Sequence, residues 1–157
     1  MLLAIEKILV PATGHPTRPE GDAADQKLNI SVVFTSMEST LAALKEAGNL
    51  ANSLDAQITL IVPQIVPYPL SLESPPVHPE FNENRFLVMA NESPVETGVQ
   101  IYLCRDRLQT LTSVLKPGAL VMLGGRKPRW RWWPTKDQTL ARNLRRAGYE
   151  VLFTQTE

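Results

Sequence analysis

At 157 residues, 43% hydrophobic and 20% charged, the chain has the makeup of one globular domain with its own core, which excludes a collagen, a disordered tail protein or a disulfide mini-protein. Sixteen basic residues balance sixteen acidic ones, yet residues 1–100 hold 5 Lys and Arg against 12 Asp and Glu, and residues 101–157 hold 11 against 4. The C-terminal part is the half that would attract an anion or an acidic surface.

No apolar run approaches the roughly 20 residues of a membrane-spanning helix. The opening Met1–Ile5, followed at once by Glu6 and Lys7, lacks the form of a secretory signal. The lone Cys104 ends the apolar run Val99–Leu103, reads as a buried structural thiol, and fits a reducing compartment. These features predict a cytoplasmic protein, either free or peripheral to a membrane.

Residues 1–28 read as an N-terminal arm or linker. Pro11 to Leu28 holds three prolines and two glycines without periodicity, and the preceding Lys7-Ile8-Leu9-Val10-Pro11 reads as a short strand, on a sheet edge or against a partner. From residue 29 to 157 the pattern is that of an α/β domain. Ile30–Phe34 is a continuous β-branched and aromatic run of the kind buried on both faces. Ser39 then caps a helix with Leu41, Leu44, Ala47, Ala51 and Leu54 inward, and Gln57–Val62 is the next strand, ended by Pro63.

Six prolines between 63 and 79 make a stiff excursion before a helix from about Glu80 to Asn91. Val95–Cys104 supplies a third strand. Arg105–Lys116 is a helix with Leu108, Leu111 and Leu115 inward, stopped by Pro117-Gly118. Ala119–Leu123 is a fourth buried strand running into Gly124-Gly125, read as a tight turn at the strand end. Thr135-Lys136-Asp137-Gln138 has the form of a capping box opening a last helix, with Leu140, Ala141, Leu144 and Ala147 inward, and Glu150–Thr154 is a fifth strand. Strand and helix alternate throughout, which predicts a doubly wound five-stranded parallel sheet with helices on both faces.

Over residues 29–154 the chain resembles the universal stress protein family. The likeness rests on the strand entering Thr35-Ser36-Met37-Glu38-Ser39, the Ala-rich helix ending Leu54-Asp55-Ala56-Gln57, the strand Ile58–Val62, and Leu115-Lys116-Pro117-Gly118 leading into Ala119–Gly125. It implies a sheet order of 3-2-1-4-5, a regulatory or stress-response role, and a homodimer through the last strand, here Val151-Leu152-Phe153. Nucleotide-binding members carry an acidic residue at the end of the first strand, where Thr35 stands, and Gly-x2-Gly-x9-Gly-Ser/Thr after the fourth. Counted from Gly124, those glycine positions hold Lys127 and Asp137; with a shortened loop, Pro134-Thr135 would replace the Gly-Ser pair.

In a sheet of that order the ligand crevice lies between the C-terminal ends of the first and fourth strands. It would collect Thr35, Ser36, Gly124, Gly125, Arg126 and Thr135, with Val62 nearby. The resemblance implies that Thr35 and Val62 would frame the adenosine of ATP or AMP, that Gly124, Gly125 and Thr135 would contact phosphate, and that Arg126 or Lys127 would add charge. Pro128 and Pro134 remove two donors from such a cradle, and three tryptophans crowd it. Nucleotide binding is therefore expected to be weak or lost.

Arg126-Lys127-Pro128-Arg129-Trp130-Arg131-Trp132-Trp133-Pro134 holds every tryptophan of the chain. In one reading the rings pack over the sheet edge and the arginines are solvated or stack on them. In the other, Arg129, Trp130, Arg131, Trp132 and Trp133 dock on a protein or an anionic membrane surface. No nucleic-acid-binding fold accompanies the segment, and an isoelectric point near 6.7 argues against that partner.

Catalytic residues are scarce. His15 lies in the arm, and His78 with Glu80 and Glu83 in or beside the proline-rich excursion reads as solvated loop rather than a metal site. No nucleophile elbow, phosphate-binding Lys loop or paired-cysteine motif occurs. A non-enzyme is expected.

Overall fold

The computed structural model describes residues 3–10, 28–70 and 79–157, with side chains from Leu28 to Leu70 and from Asn84 onward. In chain order these form β1 (Leu3–Val10), β2 (Asn29–Val33), α1 (Met37–Leu54), β3 (Gln57–Ile65), α2 (Pro79–Asn91), β4 (Thr97–Cys104), α3 (Arg107–Val114), β5 (Leu120–Arg126), α4 (Lys136–Arg146) and β6 (Glu150–Thr156). Strands β4-β3-β2-β5-β6 are all parallel and lie in the expected 3-2-1-4-5 order. β1 adds a sixth, antiparallel strand outside β4, with Leu3 opposite Leu103 and Val10 opposite Thr97. The short run near residue 7 is thus an edge strand; residues 11–27 of the expected arm lie outside the described residues.

Alternation along the inner strands feeds two cores. Ile30, Val32, Ile58, Leu60, Val62, Val99, Ile101 and Met122 face α1 and α2, meeting Leu44, Ala47, Phe86 and Met89. Val33, Ile61, Val121 and Leu123 point the other way, onto Leu111 of α3, Leu115 just after it, and Leu140, Ala141 and Leu144 of α4. Buried residues on both faces are what continuous β-branched runs require.

Four readings of local detail are corrected. Ser36, not Ser39, caps α1, its side chain accepting the Ser39 N–H at 3.3 Å, while Ser39 itself is buried. The inward stripe of α1 is Thr40, Ala43, Leu44, Ala47, Gly48 and Ala51, and Leu41 and Leu54 are exposed. Small residues on that stripe let the helix lie close to the sheet, and the larger leucines fall outside it. Ala147 is exposed too, as the C-cap of α4 beyond its apolar stripe.

Pro63 does not end β3, which continues to Ile65. The N–H groups of Gln57 and Val66 bond Leu28 O and Cys104 O respectively, so odd-numbered β3 residues aim their backbone at β2 and even-numbered ones at β4. β2 stops at Val33, opposite Ile61. Pro63 therefore points its missing N–H where no neighbouring strand needs it.

Candidate functional site

The strand order reverses between β2 and β5, and there the crevice predicted from sequence is bonded to itself. Thr35 Oγ1 donates to Gly124 O at 2.6 Å, and the Thr35 N–H donates to Thr40 Oγ1 at 3.1 Å. Ser36 is engaged as the α1 cap. Ser39 Oγ lies 3.0 Å from Thr156 Oγ1, which in turn reaches Gly125 O at 3.3 Å. Across the mouth, Arg126 pairs with Glu38 at 3.4 Å, both well exposed, and the Lys127 N–H donates to Thr156 O at 2.9 Å.

Gly124 and Gly125 are strand residues within β5, not a turn, and neither has a positive φ. Their small size has a different cause. A Cβ on Gly124 would lie 1.9 Å from Ser39 O, so the first turn of α1 rests on the bare backbone at that position. A Cβ on Gly125 would lie 2.5 Å from Phe153 Cζ and 3.0 Å from Asp137 Cβ. Both glycines make room for the protein's own parts.

Thr135 is engaged as well. Its hydroxyl accepts the Gln138 N–H at 3.2 Å and its own N–H donates to Gln138 Oε1 at 3.1 Å, which completes the capping box. The hydroxyl and N–H that would have met a phosphate are committed to α4. Val62 lies apart, in a cleft of about 240 Å³ with Phe34, Met37, Pro63, Gln64, Arg85 and Phe86, where Phe34 and Phe86 meet edge to face at 5.1 Å. Ligand pockets usually run ~300–1,000 Å³, so this space is small. Sequence reasoning missed Phe34, Met37, Arg85 and Phe86; of these only Phe34, closing a strand at the crevice end, carried a readable signal.

The Arg-Trp segment contrasts with this. Its base is fixed by the Lys127 bond to β6, by the Thr135 cap, and by an Arg107–Asp137 ion pair of 3.3 Å that ties α3 to the start of α4. Its tip is a turn closed by the Trp133 N–H on Trp130 O at 3.2 Å. Trp130, Trp132 and Trp133 are 69%, 86% and 78% exposed, so the rings do not pack over the sheet edge. Arg129 and Arg131 are exposed beside them, and among the described residues neither they nor Lys127 has an acidic partner.

Elsewhere, Arg142 and Arg145 line a groove of about 330 Å³ between α4 and β6 with Gln138, Ala141, Phe153 and Gln155, and Arg145 is held by Val151 O at 2.9 Å. Cys104 is buried, and that burial pushes its thiol above the ordinary thiol range; its Sγ contacts Gln64 O at 3.7 Å. Burial likewise raises the Tyr102 phenol, which donates to Gln100 Oε1 at 2.8 Å. Among the described residues no cluster of three or more His, Cys, Asp or Glu could hold a metal, and no helix is long and apolar enough to cross a membrane. His15 and His78 lie outside the described residues. No protein-family model and no curated protein matches the chain.

Proposed function

We propose that this chain is a non-enzymatic regulatory module of universal-stress-protein-like design that acts by docking through residues 126–134 instead of by binding ATP or AMP. The observation that carries this is the engagement of the crevice: Thr35, Ser36 and Thr135 spend their hydroxyls on the fold, and α1 rests where a phosphate would approach Gly124. The same chain leaves three indoles in water, each forfeiting roughly the 1.5–3 kcal/mol that a large apolar side chain gains on burial. A partner that covers them recovers that energy. The module acts in the cytoplasm, as a homodimer through the outer edge of β6, where Leu152 is exposed.

A thermal-shift series with ATP, with AMP and without ligand tests the reading. Binding raises the melting temperature as ligand exceeds its Kd. The docking module melts at one temperature throughout. A rise with either nucleotide favours the second reading, weak adenine-nucleotide binding, for which the cleft of Val62, Phe34 and Arg85 at the same end of the sheet is the specific support.

A further inference from the structure

Of the eleven exposed large hydrophobic side chains among the described residues, six lie where β3 and β5 leave the sheet, and Leu28, Leu41, Leu54, Val88 and Leu152 lie elsewhere. Leaving the C-terminal end of β3, Ile65, Tyr68 and Leu70 are exposed, Tyr68 by 86%; leaving the C-terminal end of β5 are Trp130, Trp132 and Trp133. Because β3 and β5 are parallel members of one sheet, both exits lie at the same end of the molecule. The β3 exit is held in shape by Arg105, whose guanidinium donates to Val66 O at 2.9 Å and Leu70 O at 2.6 Å and lies 5.0 Å over the Tyr68 ring.

Among the described side chains at this end, cations outnumber acids. Residues 126–136 hold five cations and no acid. Glu38 and Asp137 are paired with arginines and Asp106 caps α3, while Glu157 stays in solvent. Lys127, Arg129, Arg131 and Lys136 have no acidic partner among the described residues. Along the turn Arg129 and Arg131 flank Trp130, and Arg131 precedes Trp132, while Trp133 follows Trp132 directly. Interfaces between proteins enrich Trp and Arg but deplete Lys, whereas here Lys127 and Lys136 stand beside the arginines with no acidic partner among the described residues. The headgroup layer of a bilayer takes both together, the indole at the carbonyl level and the cation on phosphate.

We infer that the C-terminal end of the sheet, with Trp130, Trp132 and Trp133 on one strand exit and Tyr68 and Leu70 on another, is a docking face for an anionic phospholipid bilayer. This rests on the docking reading above and names its partner. Cations draw the face onto the surface, and the rings enter the interface without any segment spanning it.

The protein carries its own reporter, since every tryptophan it has is in this turn. Tryptophan emission and co-sedimentation are measured on the full chain with vesicles of phosphatidylcholine alone and of phosphatidylcholine mixed with phosphatidylserine. Emission moves to the blue and the protein sediments with the mixed vesicles only, and added salt reverses both. Trp132→Ala with Trp133→Ala weakens sedimentation at least about tenfold. Arg129→Gln and Arg131→Gln each weaken it about fivefold. No shift on mixed vesicles, or an equal shift on phosphatidylcholine alone, overturns the proposal. A shift with poly-glutamate and none with vesicles overturns it in favour of an acidic protein surface. The two readings fail separately, because a nucleotide-induced melting shift reports on the crevice and vesicle binding on the turn.

Discussion

The β2–β5 crevice and the 127–135 loop lie next to each other in the chain and treat their polar and apolar groups in opposite ways. In the crevice each hydroxyl meets a partner within the fold, and α1 packs so tightly that only glycine fits at Gly124. In the loop the backbone is pinned at its base while the largest side chains of the protein stand in water. One region is saturated by its own bonds and the other is open to solvent. This holds even though the saturated region occupies the position where doubly wound sheets ordinarily bind ligands.

Substitutions that break this contrast should rank by how much of the fold each region supports. Gly124→Ala forces a methyl into the backbone of α1 at Ser39, and nothing flexible can yield, so a loss of about 4 kcal/mol or outright misfolding is expected in urea denaturation. Gly125→Ala meets the far end of the Phe153 ring, which can swing, and should lose about 1–3 kcal/mol, partly restored when Phe153→Leu is added. Thr35→Val removes the bond to Gly124 O and should lose about 1 kcal/mol in the same assay. The smallest effect is expected at the open region: Trp132→Ala with Trp133→Ala should move the urea midpoint by less than about 0.5 kcal/mol equivalent. A large loss there would mean that the rings pack on the fold after all, and the contrast would dissolve.

How much of this could be read from sequence follows the range of the forces involved. The inner strands were legible because Ile30–Val33 or Val121–Leu123 can sit only between two apolar layers, and alternation with helices makes them parallel, while their order was an expectation drawn from the family resemblance. The Thr135 capping box was legible because its partners lie three residues apart. Gly124 and Gly125 were misread as a turn because the atoms that forbid a side chain there, on Ser39 and Phe153, come from distant parts of the chain. Leu41 and Leu54 were misread because helical spacing allows two adjacent stripes, and close approach to the sheet selected the one with smaller residues. Exposure of the tryptophans could not be derived, since composition alone does not say which surface a ring will find.

Pro63 has a consequence for how the sheet meets extended chains. β2 ends after five residues between longer neighbours, which leaves a notch with bare strand backbone on its β3 side. An invading peptide seeks alternating donors and acceptors along such a margin. Here the donor it would need at residue 63 is a ring carbon. The notch is thereby guarded against β-augmentation from within the sheet, and β6 and β1 remain the margins where another strand could add.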